Sequence, residues 1–171
     1  MNPNDATAGV GALFLESAMG RFRDLKTLGE RAMAQAADED LFWMPGRESN
    51  SIAILIQHLA GNMLSRWTDF LTSDGEKPHR QRDAEFEHSP TTRAELMERW
   101  EAGWQCLFSA LAALGEGDLG KTVTIRGEGH SVVDAILRQL AHYGQHVGQI
   151  VYLAKARRED AWQSLSIPRR R

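Results

Sequence analysis

The sequence predicts an all-α protein, a bundle of four helices in one domain, and three observations carry that prediction. Apolar residues recur at helical spacing in four long segments. Only one short stretch, Lys121–Arg126, alternates as a strand does, with no room to become a sheet-based domain. No internal repeat, low-complexity tract or linker divides the 171 residues, a length that fits one domain with a real core.

The first helix is read over Thr7–Ala37, with Val10, Leu13, Phe14, Phe22, Leu25, Leu28 and Ala32 at helical spacing. Gly20 and Gly29 each weaken it by about 1 kcal/mol relative to Ala, but small residues allow close helix contact, so one long helix is kept. Asp38–Glu48, with Pro45 and Gly46, is a connection that Trp43 and Met44 are expected to pin to the body.

The second helix should run Ser51–Leu71, capped by Asn50 or Ser49. Ile52, Leu55, Ile56, Leu59, Met63, Trp67 and Phe70 form its apolar stripe. Beside it His58, Asn62 and Arg66 make a polar line that drifts toward the apolar face. Such a line fits a metal pocket or buried network, and equally a polar flank whose arginine reaches solvent.

Thr72–Pro90 is a long charged loop, of the kind that often serves as a lid or binding segment. His79 and His88 in it are read as surface histidines, and Arg80, Arg82 and Glu85 as a solvated charge run. Thr92 and Glu95 form a capping box opening the third helix, Arg93–Leu114, whose buried stripe is Leu96, Trp100, Trp104, Leu107, Leu111 and Leu114. After Lys121–Arg126, a turn at Gly127–Gly129 completes a small hairpin or extended excursion. Ser131 caps the fourth helix, which runs to about Ala156, and Glu159–Leu165 is read as a short helix.

Composition narrows the function classes. Hydrophobic residues are 42% and charged residues 25%, with a formal net charge of -3, so there is no overall basic field for nucleic acid. The terminal Arg169, Arg170 and Arg171 are read as a solvated tail. The single cysteine, Cys106, can make no internal disulfide and reads as an inert thiol at the edge of a helical face. The N-terminal MNPNDATAGVGALF lacks the basic start and apolar run of a signal peptide, and no apolar run approaches the ~20 residues of a membrane span. The expectation is a cytoplasmic protein with no membrane or nucleic-acid partner.

The chemistry centres on His142 and His146 in the fourth helix. Four residues turn a helix through about 400°, so both imidazoles project from nearly one line, with Cβ atoms roughly 5–6 Å apart. Two neutral imidazoles so placed can close on one transition-metal ion, although many such pairs are plain surface histidines. His58, inside another amphipathic helix, is the comparable third candidate. Tyr143 stands where the His-Glu-x-x-His metalloproteases have their glutamate, which removes that general base.

The stretches NSIAILIQHLAGNMLSRWTDFLTSDGEKP and HYGQHVGQIVYLAKA and the closing LSIP resemble a bacterial family in the DinB/YfiT-like superfamily of metalloenzymes. The resemblance is specific in the histidine blocks and weak in the first helix. It implies a four-helix bundle, so the expectation is an up-and-down bundle of DinB/YfiT-like type, with the small β-hairpin excursion read from the residues between helices 3 and 4. It also implies a divalent metal, commonly nickel or zinc, held by one histidine of the second helix and the pair of the fourth, which are His58, His142 and His146 here.

An ion held by three imidazoles keeps its double charge and has positions open for a bound water, a thiolate or an oxyanion. Related proteins transfer low-molecular-weight thiols, so the resemblance implies a thiol-dependent S-transferase or a hydrolase acting on a small molecule. Gln139, Gln145, Gln149 and Asn62 are candidates by helical spacing to support the ligands, and Arg66 to bind an anionic group or to pair with acids of the loop. The alternatives are a metal-binding protein without turnover and a plain helical interaction protein. A homodimer is expected because twofold pairing is the commonest assembly.

Overall fold

The computed structural model describes residues 9–87 and 92–167. The expectations for Thr7, for His88, for Pro90, for the N-terminal eight residues, for the proline of the closing LSIP and for the terminal arginines lie outside them. Four helices, α1 (Val10–Met33), α2 (Ile52–Trp67), α3 (Arg93–Ala112) and α4 (Val132–Arg158), form the bundle. A two-stranded antiparallel hairpin, β1 (Thr122–Ile125) and β2 (Glu128–Ser131), stands between α3 and α4, as the sequence predicts.

The caps explain where the helices start. Ser51 Oγ accepts the Ile54 N–H at the head of α2, one residue after Asn50 and two after Ser49, the caps read from the sequence. Thr92 and Glu95 make the reciprocal capping box of α3, and Ser131 Oγ accepts the Asp134 N–H of α4. α1 ends where the Arg93 guanidinium takes the carbonyls of Met33 and Ala36. α2 stops four residues short of the expected Leu71, because Thr68 is extended and Asp69 has φ 48°. The expected Glu159–Leu165 helix is only a 3₁₀ turn, Glu159–Ala161.

Contacts along the helices fix their directions. Phe22 meets Tyr143, Gly29 lies opposite Val147, and Asp40 just after α1 pairs with Arg157, so α1 and α4 run the same way. Gln57 meets Arg99, Ala60 meets Gly103 and Thr68 meets Cys106, so α2 and α3 also run together. Trp67 lies by Tyr143 and His58 by His146, which sets α2 against α4. The order of directions is up, down, down, up, so the bundle and its hairpin are as expected but the helices do not alternate as a simple up-and-down bundle does. A parallel pair cannot be joined by a short turn, and residues 68–87 travel back along α2, from Gly75 beside Ser65 to Glu85 beside His58.

That return path is stitched to the hairpin. Gly75 N–H donates to the Thr124 carbonyl, and Asp74 accepts the backbone N–H groups of Arg126 and Gly127. Those two residues have φ 56° and 78°, the two positive values a tight two-residue hairpin turn requires, and Gly127 meets the demand without a Cβ.

The core gathers Phe22, Trp67, Trp104 and Tyr143, whose rings meet edge-on or tilted. α2 is buried nearly all round, with Gln57, His58, Asn62, Ser65 and Arg66 buried beside its apolar residues. The polar line is therefore a buried network, and Arg66 does not reach solvent. Leu41, fully buried, pins the connection after α1 together with Trp43, which lies under the Arg157 guanidinium. Met44 is 43% exposed and takes no part, since the chain has turned outward toward Pro45.

Candidate metal centre

α2 and α4 cross so that His58 faces His142 and His146. His58 Nε2 is 3.2 Å from His142 Nε2, and His142 Nε2 is 3.1 Å from His146 Nε2. All three ligand atoms lie within 4.8 Å of one another. With metal–nitrogen bonds of about 2.0–2.1 Å, two ligand nitrogens stand about 2.9 Å apart at a right angle and about 3.4 Å apart at the tetrahedral angle. The two short spacings fall between those limits.

Proton accounting sharpens the fit. Glu85 Oε2 lies 2.9 Å from His58 Nδ1, and Gln149 Oε1 lies 2.7 Å from His146 Nδ1. Both oxygens accept, so each Nδ1 carries a proton, and a ring protonated there alone presents a bare Nε2 to His142. His142 can donate from its Nε2 to only one of them. At least two lone pairs thus face one another across a few ångströms, an arrangement that a cation between them relieves.

Burial, and then the neighbouring His146 and His58, push the His142 imidazole down to about 3. Burial also lowers His146, against the raising effect of its Gln149 hydrogen bond. Both rings are therefore neutral near pH 7, the form in which imidazole binds metal.

The return path supplies the support that the sequence reading missed. Arg80 and Glu85, expected to be a solvated charge run, have side chains only 5% and 11% exposed. Arg80 grips both Glu85 oxygens at 2.8 Å, and Glu85 grips His58. Burial raises the Glu85 carboxyl, but the hydrogen bonds from His58 and Arg80 and the Arg80 charge prevail and hold it below its ordinary value. Phe86 packs on the His58 ring at 4.7 Å. Gly61, one turn after His58, makes room for this: a Cβ there would overlap Glu85 Oε1. A glycine inside an apolar helix was the available signal for a close approach. Arg82 does remain largely exposed, and so does His79.

The expected supporting residues divide. Asn62 and Gln139 are buried and line a cavity of about 310 Å³ beside the three histidines, as does Arg66. Tyr143 donates to Asn62 Oδ1 at 2.9 Å and accepts from Trp67 Nε1 at 3.0 Å, so a core tyrosine holds a cavity wall in place. Gln149 reaches His146 from outside the cavity. Gln145 is exposed and lines no part of it, because the residue before His146 is turned about 100° away around the helix. Among the described residues this is a cluster of three histidines with an open side.

Among curated proteins none matches the chain. Over residues 9–171 it matches the model of a family described as Protein of unknown function (DUF1572). The matched span takes in all four helices, the hairpin, the return path and the three histidines, and the chain belongs to that family.

Proposed function

We propose that the protein is a divalent-metal-dependent enzyme of DinB/YfiT-like type, a thiol-dependent S-transferase or a hydrolase acting on a small molecule. His58, His142 and His146 are its metal ligands, with nickel or zinc as the ion. The observation that carries this reading is the convergence of three Nε2 atoms at 3.1 and 3.2 Å while the opposite nitrogens of His58 and His146 are held by acceptor oxygens. A surface pair or a core histidine has no need of that arrangement.

When bound, such an ion supplies Lewis-acid chemistry to a thiol, ester or amide. The chain's own residues orient and shield. Glu85 fixes the tautomer and tilt of His58, Arg80 fixes Glu85, and Gln149 does for His146 what Glu85 does for His58. Asn62 is held by Tyr143 with its face to the cavity.

An enzyme is favoured over a structural metal site because structural ions are normally closed off by four protein ligands, whereas these three stand beside an open cavity. A low-molecular-weight thiol as co-substrate and a homodimeric assembly belong to the same proposal. The resemblance to thiol-transferring relatives supports the first and the frequency of twofold pairing the second.

Elemental mass spectrometry on protein purified without an affinity tag tests the centre, with wild type beside the double variant His142→Ala/His146→Ala. Near-stoichiometric nickel or zinc in wild type and its loss in the variant is the expected result. Equal trace metal in both would remove the ligand assignment, and a metal-loaded protein inert on thiols and esters would remove the enzyme.

A further inference from the structure

Arg66 is a cation that the fold has buried without giving it a close partner. The residue is 3% exposed, lines the cavity beside the histidines, and its Nε and Nη1 make no hydrogen bond. The nearest carboxylate oxygen, on Glu76, is 3.9 Å from Nη2, and Glu76 is already shared by Arg80 and Arg126. A buried charge so poorly paired weakens the fold unless something else pairs it. Its position is nevertheless built: Gly75 packs against the guanidinium, and a Cβ there would stand 2.5 Å from Nη1.

A second buried polar group belongs to the lining of the same cavity. Gln139 is 2% exposed, lines the cavity, and its Oε1 receives no donor. At the mouth the exposed Arg138 makes no ion pair among the described residues. Arginines line the cavity at five positions, and no aspartate or glutamate does. Two unbonded buried donor atoms, one unbonded buried acceptor and an arginine at the mouth without an ion pair describe the complement of a missing molecule.

We propose that the cavity binds a small molecule through an oxyanion, a carboxylate or a phosphate, taken by Arg66 with Arg138 at the mouth, and that this molecule also donates a hydrogen bond to Gln139 Oε1. Guanidinium suits both anions because its fork matches two oxygens at once. The volume of about 310 Å³ admits a small metabolite and excludes a folded polyanion. This inference rests on reading the cavity as the substrate site beside the metal, and it names the substrate's recognition group.

The test titrates inorganic phosphate, acetate and, as a cationic control, methylammonium into wild type, Arg66→Met and Arg138→Gln by calorimetry. Each protein is examined chelator-treated and reloaded with nickel, with metal content measured on the same samples. One oxyanion should bind wild type in both states and methylammonium should not. Losing a buried charge-assisted contact should weaken that oxyanion by about tenfold or more in Arg66→Met, with a smaller loss in Arg138→Gln and unchanged metal content. Preference for phosphate or for acetate decides which anion the substrate carries.

Arg66→Met should also melt at or above the wild-type temperature, because it removes a buried charge for an apolar chain of similar length. Oxyanion affinity unchanged in Arg66→Met overturns the proposal, as does metal-loaded wild type that binds neither anion. Arginine-dependent binding in a protein that takes up no metal upholds the anion site and removes the metal centre instead.

Discussion

At the scale of single residues, the site depends on a contact made across 27 positions of chain, from Glu85 to His58. A carboxylate on the far nitrogen of a metal-binding imidazole fixes its tautomer and raises its basicity. Glu85→Ala should therefore lower metal affinity by about 10–100-fold without unfolding the protein. Gly61→Ala separates this role from stability. The new methyl overlaps Glu85 Oε1 and must push the carboxylate off His58, while Ala improves helix propensity by about 1 kcal/mol over Gly. Metal affinity should fall while the melting temperature holds or rises. A chelator-competition titration beside a thermal melt reads both, and affinity unchanged in both variants would sink the positioning role. The three histidines were legible because each sits on a helix whose period the sequence displays. Glu85 and Arg80 were not, since a charge run bound inward by one distant ring has the same composition as one facing water.

At the scale of elements, the sequence displays helix length and burial but not direction. Four amphipathic stripes fit several orders of up and down, and the parallel α2 and α3 emerge only from paired contacts such as Gln57 with Arg99. The length of the connection between them was the visible clue, because a parallel pair needs a returning strap. Asp74 fastens that strap to the hairpin by accepting the N–H groups of Glu76, Arg126 and Gly127. Those backbone hydrogen bonds hold its carboxyl at about 2, below the ordinary 3.8. A depressed carboxyl contributes stability that is present above its unfolded value and lost as pH falls through the folded one. Wild type should lose this contribution between about pH 4 and pH 2, by an amount of about 1 kcal/mol once solvent screening of a partly exposed group is allowed for. In Asp74→Ala the contribution is absent throughout, with about 1–3 kcal/mol lost at neutral pH along with the hydrogen bonds to the charged carboxylate. Urea melts across that pH range decide it, and parallel acid limbs for the two proteins would show that Asp74 fastens nothing.

For the whole molecule, the candidate metal centre joins α2 to α4, the helices that connect the two parallel pairs of the bundle. α1 lies chiefly on α4 and α3 chiefly on α2, so an ion held by His58, His142 and His146 spans the seam between two halves. Unfolding must open that seam, and an unfolded chain has no reason to hold its histidines together. Binding then adds to folding stability as RT ln(1 + [M]/Kd), about 2.7 kcal/mol at a hundredfold excess of metal over Kd. At roughly 2–4 °C per kcal/mol for a chain of this size, nickel or zinc should raise the melting temperature by about 5–10 °C. His142→Ala/His146→Ala should lose the rise entirely. It should also melt no lower than chelator-treated wild type by more than the lost packing explains, because it removes facing lone pairs that only a cation reconciles. A wild type that melts at the same temperature with chelator and with excess metal would mean that the three nitrogens meet for packing alone. The open cavity, the strap and the buried Arg66 would then need an explanation built on the anion and not on the ion.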